Sequence, residues 1–272
     1  MTPDEIRRRV AEIPWWYHKI DLGNGIVTPG WAPINADAYH VPADLTGKYV
    51  LDVGAWDGYW TFEALKRGAR QVIAIDDWSD MAVTGKEKSD APRTPWDSFN
   101  LCREALGYDG ERLLRKELSG YDTAFCRGEN VSVYDLRPEK HNTFDIIFAF
   151  GLLYHCRHPL LALDRLSDVC PTGDIYIESA ILDQYSPYRD SPAFRPGEAK
   201  GYPGNQMVME FYPGTEYGAN PTNWWVPTLH CLEEMVRAAG WDTVTSWKLT
   251  EQPQHMGHCR GFVQGSKTKK GT

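Results

Sequence analysis

No apolar run in this chain approaches the length of a membrane span, and no N-terminal apolar segment resembles a signal peptide. Its six cysteines, at positions 102, 126, 156, 170, 231 and 259, contain no C-x-x-C pair and no secreted disulfide framework. A reduced, cytoplasmic protein with no membrane contact is the expectation that follows. Basic charge is also scarce: 29 Lys and Arg stand against 37 Asp and Glu, a formal net charge of −8. That balance speaks against a broad nucleic-acid footprint, although a local basic groove can hide in such an average. The only basic cluster, Lys267, Lys269 and Lys270, lies in a polar stretch, 266–272, that reads as a disordered tail. What remains is the composition of a globular protein, 42% hydrophobic and 24% charged over 272 residues, enough for one α/β domain with decorations.

A third glycine is missing where a dinucleotide fold would have it. The run Tyr49-Val-Leu-Asp-Val-Gly-Ala-Trp-Asp-Gly58 reads as a buried parallel strand followed by a turn. Trp60 to Arg67 reads as a helix stopped by Gly68, and Gln71 to Ile75 as the next strand, ending in the paired carboxylates Asp76 and Asp77. An acid roughly 20 positions beyond the glycine loop sits at the tip of the second strand and accepts hydrogen bonds from ribose hydroxyls. A pyrophosphate, however, needs the full G-x-G-x-x-G so that backbone can approach two phosphates at a helix N-terminus. Here only Gly54 and Gly58 are present, with Ala55, Trp56 and Asp57 between them. S-adenosylmethionine carries no phosphate and tolerates a bulkier, more acidic loop, and Asp52 could accept from the ammonium of its amino acid tail. An ordinary turn between two core strands is the alternative reading; the paired carboxylates favour adenosine binding.

Residues 1–44 are rich in aromatics. A short polar helix is expected over Glu5 to Ile13, followed by Pro14-Trp-Trp-Tyr-His18 and onward to Trp31 with no helical or alternating period. These rings either pack on the core or close as a flap over the cofactor, with Trp16, Tyr17 and His18 the residues expected there. The main domain is expected over 45–265, with insertions at 79–130 and 183–226. Trp96 to Leu106 and Glu111 to Leu118 read as helices in the first insertion, and Asn130 to Tyr134 as the third strand, with Asp135 either at the adenine edge or capping a turn. Phe144 to Phe150 is the fourth strand, opening into Gly151-Leu-Leu-Tyr-His155. Pro159 then starts a helix with Leu160, Leu163, Leu166 and Val169 along one buried face. Asp174 to Ile181 follows as the fifth strand. Thr228 suits the N-cap of a helix over Leu229 to Ala239, closed by Gly240, and Asp242 to Leu249 and Cys259 to Gln264 read as an antiparallel pair. The fold class implied is α/β: a Rossmann-like seven-stranded sheet, mostly parallel, with a terminal antiparallel hairpin. Ligands of such sheets bind beyond the carboxyl ends of the strands.

The residues then resemble the class I S-adenosylmethionine-dependent methyltransferases, most closely the tRNA wobble-uridine carboxymethyltransferase family and its relatives that methylate small molecules. Five separated blocks carry the resemblance: Leu45-Thr-Gly-Lys-Tyr-Val-Leu-Asp-Val-Gly54, Ile75-Asp76, Gly151-Leu-Leu-Tyr-His-Cys-Arg-His-Pro-Leu160, Ile177-Glu-Ser179 and Trp225-Val-Pro-Thr228. It implies a Rossmann-like sheet with the cofactor across the first four strand ends, and methyl-type transfer. It does not carry carboxymethyl specificity, because a carboxylated cofactor needs cationic partners. Where that family places a lysine this chain has the Leu22-Gly-Asn-Gly25 region, and where it places an arginine pair this chain has Pro253-Gln-His255, with Arg260 displaced. Ordinary S-adenosylmethionine is therefore the expected cofactor.

The cofactor contacts expected are Asp52, Gly54, Ala55, Trp56, Gly58, Asp76, Asp77, Trp78, Asp135, Phe150, Gly151, Tyr154 and Trp16. A hydroxyl acceptor must lose its proton during transfer, so it requires a base or a metal. His155, just past the fourth strand, is the first candidate base, unless it only shapes its loop. Glu178 points to the face opposite Ile177 and could orient His155, bind a substrate hydroxyl, ligate a divalent ion or form a structural salt bridge. His230, His255 and His258 are further candidates. Magnesium held by Glu178, Asp183 and histidines is an alternative without diagnostic spacing. The rings at Tyr185, Tyr188, Tyr202, Phe211, Tyr212, Tyr217, Trp224 and Trp225 are divided between acceptor wall and core. The expected reaction is methylation of a small-molecule hydroxyl, on a sugar or secondary metabolite. The alternatives are a tRNA-modifying transferase and an inactive binding module, with a homodimer left open.

Overall fold

The computed structural model describes residues 1–32, 34–77, 96–108, 125–189, 194–198 and 200–268. The expected helix over Glu111 to Leu118, most of the first insertion and Trp78 lie outside these. The chain divides into two compact units, with the boundary between Ser132 and Val133. Seven strands make the mixed main sheet, as the sequence implied.

In the first unit, β1 (Tyr49–Val53), β2 (Gln71–Ile75) and β3 (Phe125–Glu129) run parallel, with Val53 opposite Ile75 and Ile75 opposite Glu129. Apart from Asp52 in β1, Val50 to Val53 and Val72 to Ile75 are apolar and buried on both faces, which is the signature of a central parallel strand. The third strand falls five residues before the expected Asn130 to Tyr134, and Val133–Asp135 is a 3-10 turn instead. The reason is visible in Phe125-Cys-Arg-Gly-Glu129, where only Cys126 is buried: an edge strand needs few apolar residues, so its sequence signal is weak. Helix α2 (Tyr59–Lys66) begins at Gly58, whose φ of 87° favours glycine, and a Cβ there would lie 2.6 Å from the Phe99 ring. Phe99 comes from α3 (Asp97–Ala105).

The aromatic N-terminal segment is built into this unit. Helix α1 (Pro3–Glu12) is N-capped by Thr2, buries Ile6 and Val10, and reaches α3 through an Arg9–Glu104 ion pair of 2.6 Å. Thr28 then ties the following chain, accepting from the Ile20 amide and donating to the His18 carbonyl, while Ile20, Leu22 and Ile26 are buried.

In the second unit, β4 (Ile146–Phe150) and β5 (Gly173–Ala180) are parallel, and β9 (Arg260–Lys267) and β8 (Thr243–Lys248) extend the sheet antiparallel. β9 pairs through Lys267, beyond the Gln264 expected from sequence, so residues 266 and 267 belong to the sheet. Helix α4 (Pro159–Asp168) buries Ala162, Leu163 and Leu166, but Leu160 is 51% exposed. Residues spaced by three drift about 60° per step around a helix of 3.6 residues per turn, so Leu160 leaves the face that Leu166 and Val169 share. In α5 (Leu229–Ala238) the Thr228 side chain accepts from the Cys231 amide, and Leu229, Leu232, Met235 and Val236 are buried.

The insertion after β5 contains a small antiparallel pair, β6 (Met209–Phe211) and β7 (Trp225–Pro227). It folds around its own core of Tyr185, Tyr212, Tyr217 and Val226, packed with Leu182 and Cys259. A buried Glu210 holds it together, accepting from the hydroxyls of Ser186, Tyr202 and Tyr212 at 2.8, 2.6 and 2.5 Å. Three of the expected wall rings are therefore core, while Tyr188 and Phe211 are exposed. Among the described residues no helix is long and apolar enough to cross a membrane.

Candidate functional site

The loop between β1 and α2 is closed by hydrogen bonds, most of them to the end of β2. The amides of Gly54 and Ala55 donate to the Ile75 carbonyl at 2.9 and 3.3 Å, that of Gly58 to the Ala55 carbonyl at 2.8 Å, and that of Trp56 to Asp76 Oδ2 at 3.2 Å. Asp57, fully buried, accepts from the amides of Tyr17 and His18 at 2.6 and 3.0 Å and so fastens the N-terminal segment to the loop. The fastening brings Trp15 and Tyr17 against Trp56, with ring centroids 5.2 and 6.1 Å apart. Sequence analysis gave Asp57 no role, although an acid inside a tight glycine-bounded turn is the signal that could have found it, because a carboxylate there needs internal donors.

Asp52 projects from β1 with 3% of its surface exposed, and its Oδ2 accepts from the Thr61 hydroxyl at 2.6 Å. Burial pushes its carboxyl up to about 7. A cation beside it would restore the charge. Asp76 and Asp77 stand half-buried at the end of β2. Trp16 corrects an expectation: it is 3% exposed and gives its indole N–H to the Val10 carbonyl at 3.2 Å, so it belongs to the core under α1. Asp135 is a second correction, an exposed residue in the 3-10 turn; the strand that would have aimed it ends at Glu129.

In the second unit, the chain leaves β4 through Phe150, stacked on Phe148 at 5.3 Å, and turns at Gly151, where φ is 68°. The Gly151 amide donates to the Glu178 carbonyl at 3.0 Å, and a Cβ here would come 3.4 Å from the Tyr154 hydroxyl. Glu178 is buried and chelated by Arg260, whose Nε and Nη2 both donate to the carboxylate. Nη2 also donates to the Tyr154 hydroxyl at 3.0 Å. Of the roles open to Glu178, the structure gives the salt bridge. Arg260, displaced along the sequence, is the centre of this cluster.

His155 follows Tyr154, with its Nδ1 at 3.0 Å from the Thr222 carbonyl. Burial lowers its pKa to about 4, and the nearby Arg260 adds to the effect. The ring is thus neutral at neutral pH. His230, by contrast, sits in the first turn of α5 with Nδ1 4.0 Å from Glu233 on the same helix, and has no hydrogen bond to His155 or Glu178 among the described residues. His255 and His258 meet with ring centroids 3.6 Å apart and planes tilted by 40°, His255 exposed and His258 half-buried. Asp183, the other carboxylate considered for magnesium, accepts from the Leu229 amide at 2.7 Å. Among the described residues no three His, Cys, Asp or Glu side chains gather in a way that could hold a metal ion.

No protein-family model matches the chain. It is 26% identical over 203 residues to a tRNA U34 carboxymethyltransferase of Ectopseudomonas mendocina, covering 74% of this chain and 47% of the relative. It is likewise 26% identical over 172 residues to that of Helicobacter pylori, covering 62% of this chain and 55% of the relative. The chain spans about half the length of the curated relatives it matches. Among solved structures, the N-terminal domain of EvdMO1 with SAH bound superimposes with a TM-score of 0.63 at 15% identity, over 98% of both chains. An S-adenosylmethionine-dependent methyltransferase from Mesorhizobium loti superimposes with a TM-score of 0.53 at 14% identity, over 85% of this chain and 96% of the other. The chain therefore has the class I methyltransferase fold and is related in sequence to the tRNA U34 carboxymethyltransferases.

Proposed function

We propose that this protein is an S-adenosylmethionine-dependent methyltransferase whose acceptor is a hydroxyl group of a small molecule, a sugar or a secondary metabolite. One observation carries the cofactor assignment: the amides of Gly54, Ala55, Trp56 and Gly58 are all already spent, on the Ile75 carbonyl, the Asp76 carboxylate and the Ala55 carbonyl. A pyrophosphate would have to compete for them, since it binds through such amides. An adenosine cofactor with a cationic tail needs acceptors instead, and Asp52, Asp76 and Asp77 supply them. S-adenosylmethionine brings a methyl group already activated by its sulfonium. The chain's own residues do the rest: Asp52 takes the tail ammonium, Asp76 and Asp77 accept from ribose hydroxyls, and Phe150, Gly151 and Tyr154 line the end of β4. His155 takes the proton that the acceptor oxygen sheds as its bond to carbon forms.

Methyl rather than carboxymethyl transfer is favoured by the Glu178–Arg260 pair. A guanidinium that already chelates a buried carboxylate is a weak receptor for a second one. A sugar acceptor is supported by a like-folded domain, that of EvdMO1, solved in the presence of SAH and D-fucose. The tRNA relatives favour a second reading, tRNA modification, which requires salt-sensitive binding to tRNA; the net charge of −8 opposes it. Methyl transfer from labelled S-adenosylmethionine onto a panel of sugars including D-fucose, planar metabolites and unmodified tRNA tests the proposal. Incorporation into a small hydroxylated acceptor is the expected result, and incorporation into tRNA alone would overturn it.

A further inference from the structure

The histidine at the end of β4 is held by a chain of three residues in the insertion. Asn220 Oδ1 accepts both the amide of Thr222, at 2.9 Å, and its hydroxyl proton, at 2.8 Å. Pro221 between them has no amide to compete, which suits an Asx turn. With its single proton given to Asn220, Thr222 Oγ1 can present only lone pairs to its other neighbour, His155 Nδ1, at 3.0 Å. The Thr222 carbonyl, also 3.0 Å from Nδ1, can only accept. Two acceptors therefore converge on Nδ1, and the proton of a neutral imidazole must sit there. Among the described residues nothing is hydrogen-bonded to Nε2.

We infer that Asn220 and Thr222 are positioning residues that hold His155 as the Nδ1–H tautomer, so that Nε2 meets the acceptor as a lone pair and the site takes a protonated oxygen, not a carboxylate. The inference rests on the reading of His155 as the base of a methyl-transfer site. It adds which nitrogen acts and what the acceptor must offer. In the step, the O–H proton passes to Nε2, the oxygen pair forms the new bond to the methyl carbon, and the S–C bond breaks with its electrons left on sulfur. His155 ends as imidazolium, and the cofactor as a neutral thioether. A carboxylate acceptor has no proton to give and would set its own lone pairs against Nε2.

Nitrogen-15 NMR of the histidine-labelled 272-residue chain reads the tautomer without any acceptor. The wild type is expected to show a proton on His155 Nδ1 and a pyridine-type Nε2 at pH 7. In Asn220→Ala the turn that aims both Thr222 oxygens at Nδ1 is lost and the Thr222 hydroxyl is released, and the Nε2 signal is expected to move toward the pyrrole-type region. Asn220→Asp keeps the acceptor oxygen and is expected to restore the wild-type spectrum. An Nε2–H signal in the wild type, or an Asn220→Ala spectrum identical to it, would overturn the inference; the wild-type arm stands even where the alanine variant does not fold. Calorimetry with S-adenosylmethionine separately tests the methyl-transfer reading, so the two can fail independently.

Discussion

Burial pushes the Asp52 carboxyl up to about 7, so at pH 8 the folded protein holds a desolvated charge that the unfolded chain would hydrate freely. A folded pKa above the unfolded value of 3.8 means that the stabilising, protonated state is fully present below pH 3.8 and is lost as pH rises through 7. Asp52→Asn, which can still accept from Thr61, is expected to be more stable than the wild type at pH 8 by about 1–3 kcal/mol, with the difference fading toward pH 4. The same change is expected to weaken S-adenosylmethionine binding tenfold or more, about 1.4 kcal/mol. Urea denaturation at the two pH values checks the first part, and a variant less stable at pH 8 would contradict it. His18 and His155 act with the opposite sign. Burial lowers them to about 3 and about 4 from 6.5, so below pH 6.5 the unfolded chain binds more protons and stability falls with pH until each folded value is reached. His18→Gln is expected to flatten that acid limb, measured as denaturation midpoints from pH 7 to 4; an unchanged slope would mean that His18 is not buried uncharged.

Elements with continuous apolar runs were legible from sequence, because double-sided burial leaves no other place for Val50, Leu51 and Val53 or for Ile146 to Ala149. The edge strand β3 and the outward turn of Leu160 were not, since one depends on pairing with β2 and the other on where the helix starts. The turn between β1 and α2 could be read because its residues are neighbours in the chain. Glu178 with Arg260 are 82 residues apart, and His155 with Thr222 are 67 apart. Such pairings join residues that no local period connects. The insertion carrying Thr222 is organised by Glu210 and three hydroxyls, a polar hub without hydrophobic periodicity. At the start of α2, Gly58→Ala would combine a left-handed φ with a Cβ pressed into Phe99 and Phe62. It is expected to cost about 2–4 kcal/mol in chemical denaturation and to disturb the loop. A cost below about 0.5 kcal/mol would show that the turn is looser than its geometry.

At the scale of the whole molecule, the acidic balance, the class I fold and a relationship to proteins about twice its matched length leave the cofactor better defined than the acceptor. The first unit holds the acids suited to adenosine and a cationic tail. The second holds the insertion over 183–226, to which we assign part of the acceptor choice, and its shape depends on contacts that only the folded chain makes. The most direct measurement is a calorimetric titration of the full chain with S-adenosylmethionine and, in parallel, with NAD. Saturable binding of S-adenosylmethionine, weakened in Asp52→Asn and absent for NAD, is the expected result. Binding of NAD, or no heat with S-adenosylmethionine, would contradict the assignment of the loop between β1 and α2.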